Sequence, residues 1–208
     1  MNLLFDLDGT LTDSAAGIVN SIAHAMRELG RTPPPSAVLR DTIGLPIKDT
    51  FEVLLQGPER ADEAVRIFRA RYGDVGLFEN RVYEHIPGML EALSDHTLYV
   101  ATSKVTVYAT RILEHFGLAP RFEHIFGAEL GGRHADKREL VRYAIEQEDL
   151  DPAATAMIGD TEFDIAAGRA NNLTTIGVTW GYGTALHDAA HIVDSPDALP
   201  KLIASLVS

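Results

Sequence analysis

The chain has 208 residues, enough for one large domain or for one domain that carries an insertion. Apolar residues make up 46% and charged residues 23%, and no apolar run approaches the roughly 20 residues of a membrane span, so no membrane partner is expected. A net charge of -12 argues against nucleic acid as a partner, because a phosphate backbone calls for basic patches, and the lack of cysteine excludes disulfides, thiolate catalysis and zinc–thiolate sites.

In chain order, the first predicted element is a short buried strand, Asn2 to Phe5, which runs directly into Asp6-Leu7-Asp8-Gly9-Thr10. No basic region precedes this apolar run and Asp6 interrupts it early. It is therefore read as no signal peptide, with a cytoplasmic location expected. Residues 14–29 place apolar side chains at helical spacing, with Gly30 as the stop, and Asp13 and Ser14 are expected to cap that helix. TPPPS at 32–36 is a rigid turn, after which the pattern stays helical to about residue 80. A new helix begins after Pro87 and Gly88.

From there the rhythm changes. Strands are predicted at 97–104, 122–127, 155–161 and 174–181, and helices at 106–117, 136–150, 163–172 and 196–207. The strands are apolar rather than alternating, which implies a parallel sheet covered on both faces. The expected fold is α/β: a Rossmann-like parallel core from residues 1–13 and 81–208, with helices on both faces, and an inserted all-helical cap domain at 14–80.

Open parallel sheets bind ligands beyond the carboxyl ends of their strands. Here the first strand is followed by Asp6, Asp8, Gly9 and Thr10, the second by Thr102, Ser103 and Lys104, and the fourth by Gly159, Asp160 and Thr161, with Asp164 one helical turn on. Carboxylates gathered at one edge repel and raise one another's pKa values, and a hard divalent cation removes the conflict. Oxygen-only donors favour magnesium, which also binds substrate phosphate. Two aspartates at i and i+2 on an extended segment point the same way and can divide labour, one as nucleophile and the other as acid and base. Thr102 and nearby amides can hold phosphoryl oxygens, and Lys137, which opens a helix, can offset the charge of transfer. Thr102 also suits the N-cap of the helix after it.

These residues resemble the haloacid dehalogenase superfamily of phosphatases. Asp6-Leu7-Asp8-Gly9-Thr10-Leu11-Thr12 is similar to its DxDx[TV] signature, Val100-Ala101-Thr102-Ser103 to its second motif, Lys137 to the lysine of its third, and Gly159-Asp160 with Asp164 to its acidic fourth motif. The four occur in the family's order, and PGMLEAL and TWGYG resemble the phosphoglycolate phosphatase subgroup, whose mobile cap the helical insertion is similar to. The resemblance implies Asp6 as the nucleophile that forms an aspartyl-phosphate and Asp8 as acid and base. It implies Asp6, the Asp8 carbonyl and Asp160 as magnesium ligands with Asp164 in support, and Thr102 and Lys137 on the phosphate. Many relatives follow the lysine with a proline-rich turn; this chain has Asp136-Lys137-Arg138-Glu139, and Lys137 is preferred over Arg138 because it opens the helix.

Further residues carry two readings each. Ser103 and Lys104 are substrate contacts or surface. Gly44 and Lys48 in IGLPIK, with Arg40, either face a substrate or form an ordinary turn between helices. His134 borders the site or lies on the surface, and Trp180 and Tyr182 touch a substrate or, as preferred, form a packed turn near the sheet edge. The expected function is magnesium-dependent hydrolysis of a small phosphorylated metabolite, phosphoglycolate or a nucleoside 5′-monophosphate, by a monomer or homodimer. A sugar phosphomutase or a pyrophosphatase would use the same aspartates, and a non-catalytic binding module would be expected to break the motif set.

Overall fold

The computed structural model describes residues 1–183 and 185–207 and divides the chain into two compact units, Ser14–Arg81 and the remainder. In chain order the strands are β1 (Asn2–Phe5), β2 (Thr12–Asp13), β3 (Arg81–Val82), β4 (Thr97–Val105), β5 (His124–Ala128), β6 (Thr155–Gly159), β7 (Thr174–Val178) and β8 (His191–Val193). The helices are α1 (Ala15–Glu28), α2 (Ser36–Arg40), α3 (Ile47–Leu55), α4 (Ala61–Arg71), α5 (Ile86–Ala92), α6 (Thr106–His115), α7 (Lys137–Glu148), α8 (Glu162–Ala170) and α9 (Leu199–Leu206).

The unit outside Ser14–Arg81 is built on a six-stranded sheet in the order β5-β4-β1-β6-β7-β8, and every pairing is parallel. This is the predicted α/β, Rossmann-like core. Its central strand shows why. Leu3, Leu4 and Phe5 point alternately to the two faces, and all three are wholly buried. On one face Leu4, Tyr99, Ala101, Phe126 and Met157 pack with Leu140, Val141 and Ala144 of α7 and Ala167 of α8. On the other, Phe5 meets Phe122 edge-on at 6.3 Å between ring centroids. A strand closed on both faces carries no polar alternation, and each such side chain contributes about 1.5–3 kcal/mol of burial.

The chain order sets the site. From β1 the path leads to β4 and β5 on one side, then crosses to β6, β7 and β8 on the other. The strand order thus reverses at β1, and the loops after β1, β4 and β6 share one edge. In register, Phe5 stands beside Val100 of β4 and Ile158 of β6, so the residues just beyond them, Asp6, Thr102 and Asp160, reach that edge together.

The helical unit holds α1 to α4 and a short π-helical turn, Tyr72–Gly76. Its aromatic core is Phe51, Phe68 and Tyr72, with ring centroids 6.2 and 5.2 Å apart along the row. Arg71 makes a two-pronged bond to Glu79, both arms at 2.9 Å, and donates to Ser21 Oγ at 2.8 Å. No helix among the described residues is long and apolar enough to cross a membrane.

Three local expectations are corrected. β8 has only three residues, too few to show periodicity, and it falls where the sequence suggested only a loop before the last helix. Ser14 occupies the N-cap of α1 but makes no side-chain cap; its hydroxyl is buried without a hydrogen-bond partner, and Asp13 instead accepts from the Tyr182 hydroxyl at 2.9 Å. Thr102 caps no helix, because α6 begins four residues later with Val105 at its N-cap.

Candidate active site

β1 ends at Phe5, but its ladder runs one step further, since the Asp6 amide donates to Ile158 O at 2.9 Å. The chain then turns sharply. Leu11 and Thr12 amides both donate to Leu7 O, at 2.9 and 3.0 Å, and the Gly9 amide donates to Thr12 O at 2.8 Å. Gly9 has φ +89, and a side chain there would strike the Asp160 carboxylate, so the turn needs glycine twice over. The same turn sends the Thr10 hydroxyl onto Asp160 Oδ1 at 3.1 Å.

Asp160 follows β6 and is wholly buried. Its other oxygen, Oδ2, accepts from the Tyr182 amide at 2.8 Å and the Gly183 amide at 3.3 Å. Those amides belong to the loop after β7, which is also tied down by Trp180 Nε1 donating to Thr10 O at 3.0 Å. Burial raises the Asp160 pKa to about 6, with Asp164 adding to the rise and the Tyr182 amide, the Thr10 hydroxyl and Lys137 opposing it.

Asp6 is 6% exposed, and burial raises its pKa to about 7; Lys137 pulls it down, while Asp164 and Asp160 push it up. Lys137 opens α7, where the Asp136 side chain caps the helix by accepting from the Arg138 amide at 2.7 Å. The Lys137 ammonium donates to Asp6 Oδ1 at 2.6 Å and pairs with Asp164. Burial works against its charge, but the Asp164 and Asp6 carboxylates outweigh that and hold its pKa above the ordinary lysine value. Arg138, next along, is exposed. Asp164 is wholly buried and turns back to its helix start, where Oδ2 accepts from the Thr161 amide at 2.9 Å and hydroxyl at 2.7 Å.

Asp6, Asp160 and Asp164 each offer one carboxylate oxygen, and these oxygens lie within 4.8 Å of one another. The Lys137 ammonium pairs with Asp6 and with Asp164, so one ammonium is shared by two of the three buried carboxylates. A hard divalent cation suits both the oxygen-only donors and the excess of negative charge. Asp8 gives no side-chain oxygen to this trio. Its carboxylate pairs with Lys104 at 2.8 Å.

Thr102 is buried at the end of the regular part of β4 and accepts from the Lys104 amide at 3.2 Å, while Ser103 is exposed. Gly44 and Lys48 lie in the helical unit. Gly44 is an exposed turn residue with φ +102, and Lys48 pairs with Asp62 at 2.8 Å. His134 stacks on Tyr143 at 4.3 Å in a separate cavity of ≈ 250 Å³. Sequence reasoning named Thr10 and read Trp180 and Tyr182 as a packed turn, but did not assign them the role the structure shows, holding Asp160 in place. Their signal was present in the two glycines around Tyr182: a side chain on Gly181 would strike Asp160.

A family model described as haloacid dehalogenase-like hydrolase matches residues 3–178. A protein of Pseudomonas aeruginosa named 5′-nucleotidase is 43% identical over 193 residues, which cover 91% of this chain and 87% of that one. The tyrosine-protein kinase PtkA of Mycobacterium tuberculosis is 38% identical over 88% of this chain, which spans 63% of that protein's length. Among solved structures, a predicted phosphatase from Clostridium acetobutylicum superposes with a TM-score of 0.92 at 39% identity, over 98% of both chains.

Proposed function

The chain belongs to the haloacid dehalogenase-like hydrolase family, and on that premise we propose that it is a magnesium-dependent phosphatase that works through an aspartyl-phosphate on Asp6. The observation that carries this reading is the Lys137 ammonium set between Asp6 and Asp164, inside a trio of buried carboxylates at the carboxyl edge of the sheet. Such a cluster is costly unless it binds something that compensates it, and a metal with a phosphoryl group does so.

Asp6 attacks phosphorus in line with the leaving oxygen. Asp8 gives that oxygen a proton, then takes one from the water that breaks the acyl-phosphate bond and frees inorganic phosphate. Lys137 steadies the nucleophile and offsets charge on the phosphoryl oxygens, with Thr102, and Ser103 beside it, at the same edge. Asp6, the Asp8 carbonyl and Asp160, with Asp164 in support, would hold magnesium, which supplies positive charge that lets carboxylates and phosphate approach.

The substrate class this reading favours is a nucleoside 5′-monophosphate, ahead of phosphoglycolate. A compact acid calls for a cation in the unit of residues 14–80, which we assign to substrate choice. Lys48, one of the two cations that sequence pattern offered there, is engaged with Asp62. The name of the 43% identical relative points the same way. Phosphate release from nucleoside monophosphates, phosphoglycolate, sugar phosphates and pyrophosphate, with magnesium or with EDTA, tests the proposal. Release that needs magnesium and Asp6, highest on nucleotides, is the expected result. No release from any of these compounds would refute it, and a strong loss on phosphoglycolate in Lys48→Ala or Arg40→Ala would restore the small acid.

A further inference from the structure

Lys104 lies where β4 breaks register. Thr102 pairs with Gly127 and Val105 with Ala128, so Ser103 and Lys104 are extra residues in β4 between neighbouring positions of β5. Bulges of this kind re-aim side chains at strand ends. Here the Thr102 hydroxyl fixes the bulge by accepting the Lys104 amide, and the Lys104 side chain, only 7% exposed, reaches Asp8 Oδ2 at 2.8 Å. Asp8 Oδ1 is buried and has no hydrogen-bond partner. The two oxygens of one carboxylate are therefore treated differently: one is anchored, and the other is left without a bond.

We propose that Lys104 is a positioning residue for Asp8, anchoring Oδ2 so that the proton delivered to the leaving group is carried on Oδ1. The inference rests on the phosphatase reading and adds an atom-level division within it. Oδ2 accepts from the ammonium whether Asp8 is a carboxylate or a neutral acid, since in the acid Oδ2 is the carbonyl oxygen. In the first half-reaction the Oδ1 proton passes to the leaving oxygen as its bond to phosphorus breaks and the bond from Asp6 to phosphorus forms. In the second, Oδ1 takes a proton from water as the new oxygen–phosphorus bond forms and the bond to Asp6 breaks. An unanchored Asp8 side chain would sample other rotamers and lose the in-line approach of its proton.

The test is leaving-group dependence. The ratio of kcat/KM between an alkyl phosphate, whose alkoxide needs a proton, and p-nitrophenyl phosphate, whose phenolate departs unaided, reports the acid alone. In Lys104→Met this ratio is expected to fall roughly tenfold to a hundredfold, part of the 10²–10⁴ that a general acid supplies. Lys104→Arg recovers some of it, and Lys104→Met adds no further fall to Asp8→Asn. Equal losses on both esters, as a phosphate-binding or purely structural lysine would give, overturn the proposal, as does an unchanged ratio. Lys104→Gln, which keeps a donor without the charge, provides the same readout should the methionine variant not fold. Asp6→Asn separates the two claims: activity that survives it refutes the phosphatase reading itself, whatever the ratio shows.

Discussion

The polar side chains at the carboxyl edge of the sheet and those of the helical unit live under different rules. Asp6, Asp160, Asp164 and Lys137 are at most 7% exposed, and every one is fixed by a named partner. In the helical unit, Lys48 with Asp62 and Arg60 with Glu63 form their pairs with side chains 41% to 84% exposed. A surface pair stays mostly solvated and contributes little. A buried cluster carries desolvation that only a complete set of partners offsets. Substitutions should therefore be severe and pH-dependent in the first region and mild at these exposed pairs of the second.

The largest expected effect is Asp6→Asn. Phosphate release should fall by about 10⁴-fold or more, as when other enzymes lose their nucleophile. The metal-free protein at pH 8 should melt no lower than wild type, because the substitution removes a carboxylate that burial disfavours as an anion. Calorimetry beside a phosphate assay reads both, and a large drop in melting temperature would break the comparison. Next comes Lys137→Met, which leaves three buried carboxylates without their counter-charge. It should lower stability by roughly 3–5 kcal/mol at pH 8. Denaturant titration at pH 5 should give a smaller loss, because Asp6 and Asp160 are then protonated.

The wild-type pH dependence follows from the same groups. Asp6 and Asp160 titrate near 7 and 6 in the folded protein, above the 3.8 of a free aspartate. Between about pH 4 and 7 the folded state holds more protons than the unfolded one, so these groups make stability fall as pH rises through that window. Lys137 has the same sign in a different window: with its pKa raised, its contribution is present throughout this range and is lost only in strong alkali. Magnesium must displace protons from the carboxylates, so its binding should release protons, and it should raise the melting temperature more at pH 8 than at pH 5.5. Equal stabilisation at both values would remove these carboxylates from the metal site.

A smaller effect is expected at Gly181→Ala, where the new methyl group meets Asp160. Magnesium affinity should weaken by about 10–100-fold, as at other positions that orient a metal ligand. A magnesium titration of activity checks it, and full activity at high magnesium sharpens the assignment. At the mild end, Asp62→Asn or Glu63→Gln should leave melting temperature and turnover at wild-type values within error.

The contrast also explains what the sequence disclosed. The parallel sheet was legible because apolar runs such as Leu3-Leu4-Phe5 have few other uses, and the edge was legible because carboxylates followed two of them. Lys137 was legible from its place at a helix start. The tethering of Asp160 was not, because a backbone amide has no residue-type signature, and the glycines at 181 and 183 mark only that the loop needs room, not that it is Asp160 it passes. The Lys104 pairing with Asp8 depends on a bulge, which a two-residue pattern does not reveal. Asp13 looked like a cap because capping is the local use of aspartate, whereas its partner, Tyr182, lies 169 residues away.

The central claim is that Asp6 carries the phosphoryl group. The most direct measurement is to mix Asp8→Asn protein, slowed in its second half-reaction, with magnesium and p-nitrophenyl phosphate, quench in acid, and map the modified peptide by mass spectrometry. The account predicts a phosphoryl group on Asp6, absent in the Asp6→Asn, Asp8→Asn double variant. A phosphoryl group on another residue, or phosphate release that proceeds undiminished without Asp6, would contradict it.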